Sequence, residues 1–193
     1  MKKIFFTLFF IILSTNLYGS NIKKVYFAGG CFWCMEESFD KVEGVIETIP
    51  GYSGGHVKNP KYKDVVKNTT GHYETLEITY DPSITNFEKL LEIFWVNIDP
   101  FDADGQFCDK GESYKSVVFY ENSDQKKIIE TSIKNIENKF NKKVVTYVKN
   151  FKEFYMAETY HQDYYEKNFI RYLMYKQGCQ REEVLNNIWG WKK

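Results

Sequence analysis

Six consecutive residues, Gly29-Gly30-Cys31-Phe32-Trp33-Cys34, carry the sharpest chemical signal in the chain. The glycines allow a tight turn and a close approach of backbone to substrate, and the residues after Cys31 begin a helical pattern. A thiol at the start of a helix lies among unpaired N–H groups at the positive end of the dipole, which favours thiolate over thiol. Phe32 and Trp33 add an apolar wall beside the sulfur. Residues of these types in this order read as the nucleophile of a thiol redox enzyme. Other readings share the local pattern. Cys31 and Cys34 have the spacing of a thioredoxin-like redox pair or of half a zinc site, and a cysteine can also pack as a small hydrophobe. Zinc needs a second ligand pair, whereas Cys108, Cys179, His56, His72 and His161 are scattered singly. No metal is expected.

A thiolate needs polar partners that define its chemistry. Glu74 follows Gly71-His72-Tyr73 at the start of a strand pattern, and Tyr62, Asp109 and Tyr114 fall in loops or at element edges, where sites tend to be built. With 15 tyrosines in the chain, any one of them is more often packed than reactive, and a lone carboxylate is more often solvated. On pattern alone, each of the four is a candidate and no more.

The elements that must position these residues follow from periodicity. Lys24 to Ala28 reads as a strand, Phe32 to Lys41 as a helix and Val42 to Pro50 as a second strand running into Gly51-Tyr52-Ser53-Gly54-Gly55. That loop lacks the Gly-Lys-Ser/Thr or Gly-x-Gly-x-x-Gly signature of a phosphate cradle. Tyr73 to Tyr80 alternates as a strand ending at Asp81-Pro82, and Asn86 caps a helix from Phe87 to Asn97. An irregular loop from Asp99 to Ser113 leads to strand character over Tyr114 to Tyr120. Ser123 caps a helix to about Phe140, and Lys143 to Val148 is a further strand; an aromatic-rich segment and a tail complete the chain. Strands and helices mix without a regular βα rhythm, which predicts an α+β two-layer sandwich with a mixed sheet.

Lys2 and Lys3 precede an apolar run from Ile4 to Leu13, followed by small and polar residues to Ser20. This is the layout of a secretory signal peptide covering residues 1–20, with cleavage after Gly19 or Ser20. The run is shorter than the roughly 20 residues of a membrane span. Residues 21–193 then form a single catalytic domain, periplasmic or secreted; the alternative is anchorage to the membrane by an uncleaved N-terminus. Acidic and basic side chains number 26 each, so loss of Lys2 and Lys3 leaves a net charge near −2. That balance gives no reason to expect nucleic acid as a partner. An exported chain meets an oxidising compartment, where its four cysteines admit two disulfides in three connectivities.

Gly30-Cys31-Phe32-Trp33 resembles the signature of the peptide methionine sulfoxide reductase A family. Gly51-Tyr52-Ser53-Gly54-Gly55, Asn59-Pro60-x-Tyr62 and Thr70-Gly71-His72-x-Glu74 are similar to successive family motifs, in order. So are Tyr80-Asp81-Pro82, Phe94-Trp95, Asp99-Pro100, Gln106-Phe107-Cys108-Asp109-x-Gly111-x-x-Tyr114 and Ala157-Glu158-x-Tyr160-His161-Gln162-x-Tyr164. The chain departs from the usual pattern in having Cys34 after Phe-Trp, and a tail with one cysteine, Cys179, in place of a glycine-rich segment with two. The resemblance implies a ferredoxin-like core, reduction of methionine S-sulfoxide in proteins and free, and repair of oxidised proteins. It implies Cys31 as nucleophile and Glu74 as general acid, Tyr62 and Tyr114 as phenols that bond the sulfoxide oxygen, and Asp109 as a positioning residue. Phe32 and Trp33 hold the methyl group. A second thiol must then resolve the sulfenic acid. Cys179, on a tail segment able to fold over the site, is the first candidate, with Cys34 second and a direct external reductant third; Cys108 is read as a packed thiol. No bound cofactor is implied. The electron donor is an external thioredoxin-like dithiol, and the protein is expected to act as a monomer. The reading from a different class is a periplasmic dithiol-disulfide oxidoreductase using Cys31 and Cys34; the sequence lacks its βαβ context and has only four prolines.

Overall fold

The computed structural model describes residues 21–190; the leader expected over residues 1–20 lies outside them. The chain runs β1 (Lys23–Ala28), α1 (Phe32–Phe39), β2 (Val45–Ser53), α2 (Tyr62–Val65), β3 (Tyr73–Tyr80) and α3 (Phe87–Val96). Two very short strands follow, β4 (Gly105–Gln106) and β5 (Asp109–Lys110), then a 3₁₀ turn at Glu112–Tyr114, β6 (Val117–Tyr120) and α4 (Ser123–Phe140). The remainder is β7 (Tyr147–Asn150), β8 (Phe154–Met156), a 3₁₀ turn at Thr159–His161, α5 (Tyr164–Lys167), α6 (Phe169–Gly178) and α7 (Arg181–Trp189).

The main sheet has the order β7-β6-β1-β3-β2-β8. Its inner four strands, β6-β1-β3-β2, are antiparallel and alternate with α1 and α3 as β-α-β-β-α-β, the ferredoxin-like arrangement. β7 joins β6 in parallel after the α4 crossover, so the sheet is mixed. Alternation along each strand sorts the two faces. Val25 and Phe27, Leu76 and Ile78, and Val118 meet Met35 and Phe39 of α1, Leu90, Leu91, Phe94 and Trp95 of α3, and Ile129 and Ile136 of α4. Tyr26, Ala28, Tyr73 and Phe119 face the other way and are covered by Phe151 and Phe154, with Tyr26 stacked on Phe151 at 3.7 Å. Among the described residues no helix is long and apolar enough to cross a membrane.

Several boundaries differ from the sequence reading, each for a physical reason. Val42 to Gly44 form a turn, with Val45 N–H donating to the Val42 carbonyl, so β2 starts three residues later than expected. It continues through Gly51-Tyr52-Ser53 because β8 pairs with those residues. A Cβ on Gly51 would lie 2.5 Å from the Tyr155 carbonyl oxygen. Asn86 caps α3 as expected, accepting from Lys89 N–H at 2.8 Å. The cap of α4 is Asn122, which accepts from Asp124 and Gln125, and Ser123 is the first helical residue. Tyr114 is on a 3₁₀ turn and not on a strand. The tail is built of helices.

Candidate active site

Cys31 sits at the turn between β1 and α1. Gly30 there has φ +78°, and a Cβ would meet the Gln106 Cβ at 2.5 Å, so only glycine fits. Cys31 is the N-cap residue, with φ −54° and ψ 116°, which puts it just off the helix. Glu74, the second residue of β3, has the same parity as Leu76 and Ile78, so it points into the helix layer, where its Oε2 accepts the Phe32 N–H at 3.1 Å. The sheet thus delivers a carboxyl to the first turn of α1.

Cys31, Phe32, Trp33, Tyr62, Glu74, Asp109, Tyr114 and Tyr175 line one cavity of about 60 Å³. Water occupies about 30 Å³ per molecule in the liquid, so the space suits a small terminal group. The structure brings every catalytic and substrate-binding residue expected from the sequence to this cavity. Of the two cysteines held as resolving candidates, neither lines it. Tyr175 was missed: it comes from α6, and no local signal marks it among so many tyrosines.

Burial holds Glu74 well above the usual carboxylate range, against the Phe32 N–H and with the charges of Asp109 and Cys34 adding to the rise. With Oε2 accepting the Phe32 N–H, Oε1 is the oxygen left to carry a proton. The Tyr62 and Tyr114 hydroxyls lie close enough to influence each other's ionisation. Burial raises Tyr62 to about 12, so it stays a donor. Asp109, raised by burial, accepts from the Tyr175 hydroxyl. Trp33 is stacked on Tyr164 at 3.8 Å and donates its Nε1–H to His161 Nδ1 at 3.2 Å. His161 is 1% exposed, and burial lowers it to about 4. Glu158 accepts from Tyr62 N–H and from the Tyr52 hydroxyl, fixing the start of α2. The run Ala157 to Tyr164 was visible as a motif, but not as the brace behind Trp33 and Tyr62.

The cysteines depart from expectation. Cys179 is not a mobile thiol over the site: it ends α6 and is disulfide-bonded to Cys108, with Cα atoms 4.9 Å apart. Cys108 is correspondingly not a packed thiol but an exposed half-cystine at a hairpin tip. Cys31 and Cys34 are the free cysteines, both buried. Helix position alone favours a Cys31 thiolate. Burial outweighs it and pushes the Cys31 thiol up, with the neighbouring Cys34, Glu74 and Asp109 adding to the rise. The Cys31 thiol beside it lowers Cys34 to about 7 despite burial, helped by Arg181, the Tyr172 hydroxyl and Lys176. The two thiols titrate together, so the value belongs to the pair.

A buried dithiol, a protonated acid and a polarised phenol around a small cavity define a thiol-dependent redox enzyme. The sequence profile of the peptide methionine sulfoxide reductase family matches residues 23–193. Peptide methionine sulfoxide reductase MsrA 2 of Staphylococcus aureus is 47% identical over 165 residues, covering 84% of this chain and 93% of its own length. MsrA of Bacillus licheniformis is 47% identical over 168 residues, covering 86% and 93%. Among solved structures, reduced Mxr1 from Saccharomyces cerevisiae superposes with a TM-score of 0.71 at 29% identity, covering 76% of this chain and 86% of its own. Methionine sulfoxide reductase A of Corynebacterium diphtheriae gives 0.70 at 28% identity, covering 76% and 75%. The chain belongs to the peptide methionine sulfoxide reductase A family. It is a peptide-methionine (S)-S-oxide reductase, an oxidoreductase that repairs oxidised methionine. The dithiol-disulfide oxidoreductase reading is not favoured.

Proposed function

We propose that Cys31 and Cys34 form the cycling pair, with Cys31 as nucleophile and Cys34 as resolving thiol. As substrate enters, the Cys31 thiol passes its proton to the Cys34 sulfur and attacks the sulfoxide sulfur. Glu74 gives its proton to the sulfoxide oxygen, which becomes a better leaving group. Tyr62, backed by Tyr114, bonds that oxygen as charge builds on it. Phe32 and Trp33 enclose the methyl group and Asp109 orients the rest of the substrate. The oxygen ends on Cys31 as a sulfenic acid, and methionine leaves. The Cys34 thiol condenses with the sulfenic acid, releasing water and forming a Cys31–Cys34 disulfide. An external thioredoxin-like dithiol reduces it by exchange, becoming a disulfide itself; no cofactor is bound. The observation that carries this reading is that Cys31 and Cys34 are both free and packed in one buried cluster, with Cys179 committed to Cys108. Cys31 at the N-cap is already off the helix, with its carbonyl accepting from Cys34 N–H at 3.2 Å, so a disulfide at this spacing needs little unwinding.

The reading extends to place. Residues 1–20 form a leader and residues 21–193 a monomeric catalytic domain working in the periplasm or outside the cell, or held at the membrane by the leader. The lysine pair and apolar run of the leader support it, as does a disulfide separate from the thiol pair. The deciding experiment is mass mapping of disulfides after a single turnover. The expected product is Cys31–Cys34, and Cys34→Ser should stop at a trappable Cys31 sulfenic acid. A mapped Cys31–Cys179 bond would overturn the assignment.

A further inference from the structure

Three consecutive residues of the hairpin between β4 and β5 each grip one residue of the tail. The Arg181 guanidinium lies 4.3 Å from the Phe107 ring centroid, Cys108 is bonded to Cys179, and Asp109 accepts from the Tyr175 hydroxyl. Phe107 and Cys108 are the two-residue turn itself, with Phe107 at φ +54°. Strands of two residues each cannot hold such a hairpin by themselves. Yet this hairpin carries Asp109, and α6 carries Tyr175, which lines the cavity and meets the edge of Trp33 at 5.9 Å. Cys108 and Cys179 do not line the cavity. An Asp109 oxygen is 3.9 Å from the Cys108 sulfur, so the cross-link forms the outer side of a wall whose inner side is Asp109 and Tyr175.

We propose that the Cys108–Cys179 disulfide is a positioning cross-link for substrate binding: it stays oxidised through the catalytic cycle and holds Asp109 and Tyr175 as one wall of the cavity. This rests on Cys31 and Cys34 being the cycling pair. An oxidising compartment keeps such a bond formed without further machinery. Because the wall contacts substrate before and during the reaction alike, its loss weakens binding more than it slows chemistry.

The test uses the whole protein in single-turnover reactions with N-acetylmethionine sulfoxide and no added reductant. The Cys108→Ser/Cys179→Ser double variant should need about tenfold more substrate for half-maximal rate, with the maximal rate within about threefold. Tyr175→Phe, which keeps the disulfide, should reproduce most of that shift and add little when combined with the double variant; it also carries the test if the double variant fails to fold. Enzyme pre-reduced at all four cysteines should release one methionine per chain in the burst. An unchanged half-saturating concentration in both variants overturns the proposal, as does a burst of two methionines, which would make the second pair an electron carrier. Disulfide mapping of the same burst separates the two readings. A Cys31–Cys34 bond with unchanged substrate dependence sinks the cross-link alone, whereas a Cys31–Cys179 bond sinks both.

Discussion

The two halves of the active site are built on different principles. Cys31, Phe32, Trp33 and Glu74 come from the β1–α1 turn, α1 and β3, whose neighbouring residues pack in the central core. Tyr62, Asp109, Tyr114 and Tyr175 come from a four-residue helix, a two-residue strand, a 3₁₀ turn and the tail. The first half is placed by sheet register and helix geometry. The second is placed by individual links: Glu158 on Tyr62 N–H, Asn68 on Ser113 N–H at 2.9 Å, Tyr114 on Tyr62 and the disulfide beside Asp109. On the proposed mechanism the reacting thiol and acid sit on the half that packing makes stiff, while the phenols and Asp109 sit on the half that is pinned point by point. Substitutions in the first half should therefore abolish or slow chemistry, and those in the second should act more weakly and through their links.

The largest effect expected is from Cys31→Ser. A serine hydroxyl is neither ionised nor nucleophilic enough near neutrality, so methionine formation in a single turnover should vanish; retained turnover would remove Cys31 from the centre of the mechanism. Glu74→Gln comes next, with a loss of about 10²–10⁴-fold in the single-turnover rate, the usual range for a general acid. The pH profile tells the two apart. The active form needs the thiol pair to have lost its first proton, so the rate should rise through about 7, the value of the lowered Cys34. It also needs Glu74 protonated, and because burial raises that group the falling limb should lie well above the usual carboxylate range. Glu74→Gln should remove the falling limb and leave the rising one. A falling limb that survives the substitution would assign the acid elsewhere.

Within the second half, the phenols should not be equal. The two hydroxyls are neighbours; with Tyr114 donating to Tyr62, only Tyr62 keeps a proton to offer the cavity. Tyr62→Phe should cost about 10²-fold in the single-turnover rate, the low end for one lost oxyanion donor. Tyr114→Phe should cost about tenfold or less, and the double variant little more than Tyr62→Phe. Equal single losses that multiply in the double variant would mean both phenols bond the oxygen directly.

The same division explains what the sequence revealed. The β1–α1 turn and β3 were legible because periodicity and a glycine pair are local signals; Tyr73 to Tyr80 was read to the residue. The inner four-strand order came from the family resemblance, and β8 went unseen because three residues become a strand only by pairing with Gly51 to Ser53. Asp109 and Tyr114 were found through motifs, not through any element that could be inferred around them. Tyr175 and the Cys108–Cys179 bond were not readable, since the bond joins residues 71 apart and Cys108 gave no sign of its exposure. Cys34 ranks second in the sequence for a related reason: on an unbroken helix its spacing from Cys31 is awkward, whereas the backbone of the N-cap residue is non-helical.

The smallest effect tests whether the links of the second half reach into the first. Trp33 belongs to α1, yet its indole N–H is held by His161 from the 3₁₀ turn before α5. His161→Phe keeps a ring of similar size and deletes the acceptor. A net hydrogen bond contributes about 0.5–1.5 kcal/mol, so the half-saturating substrate concentration should rise roughly two- to tenfold with the maximal rate unchanged, because the Trp33 wall binds ground state and transition state alike. The variant should also alter acid stability in a defined direction. Folded His161 is lowered to about 4 from an ordinary value of 6.5. Between those values the unfolded chain takes up a proton that the native protein refuses, so stability present above pH 6.5 drains away as pH falls toward 4. His161→Phe removes that slope, and thermal melts of variant and parent should converge on acidification. If they stay parallel while the substrate dependence is also unmoved, Trp33 is fixed by its stack on Tyr164 alone, and the stiff half of the site needs nothing from the pinned one.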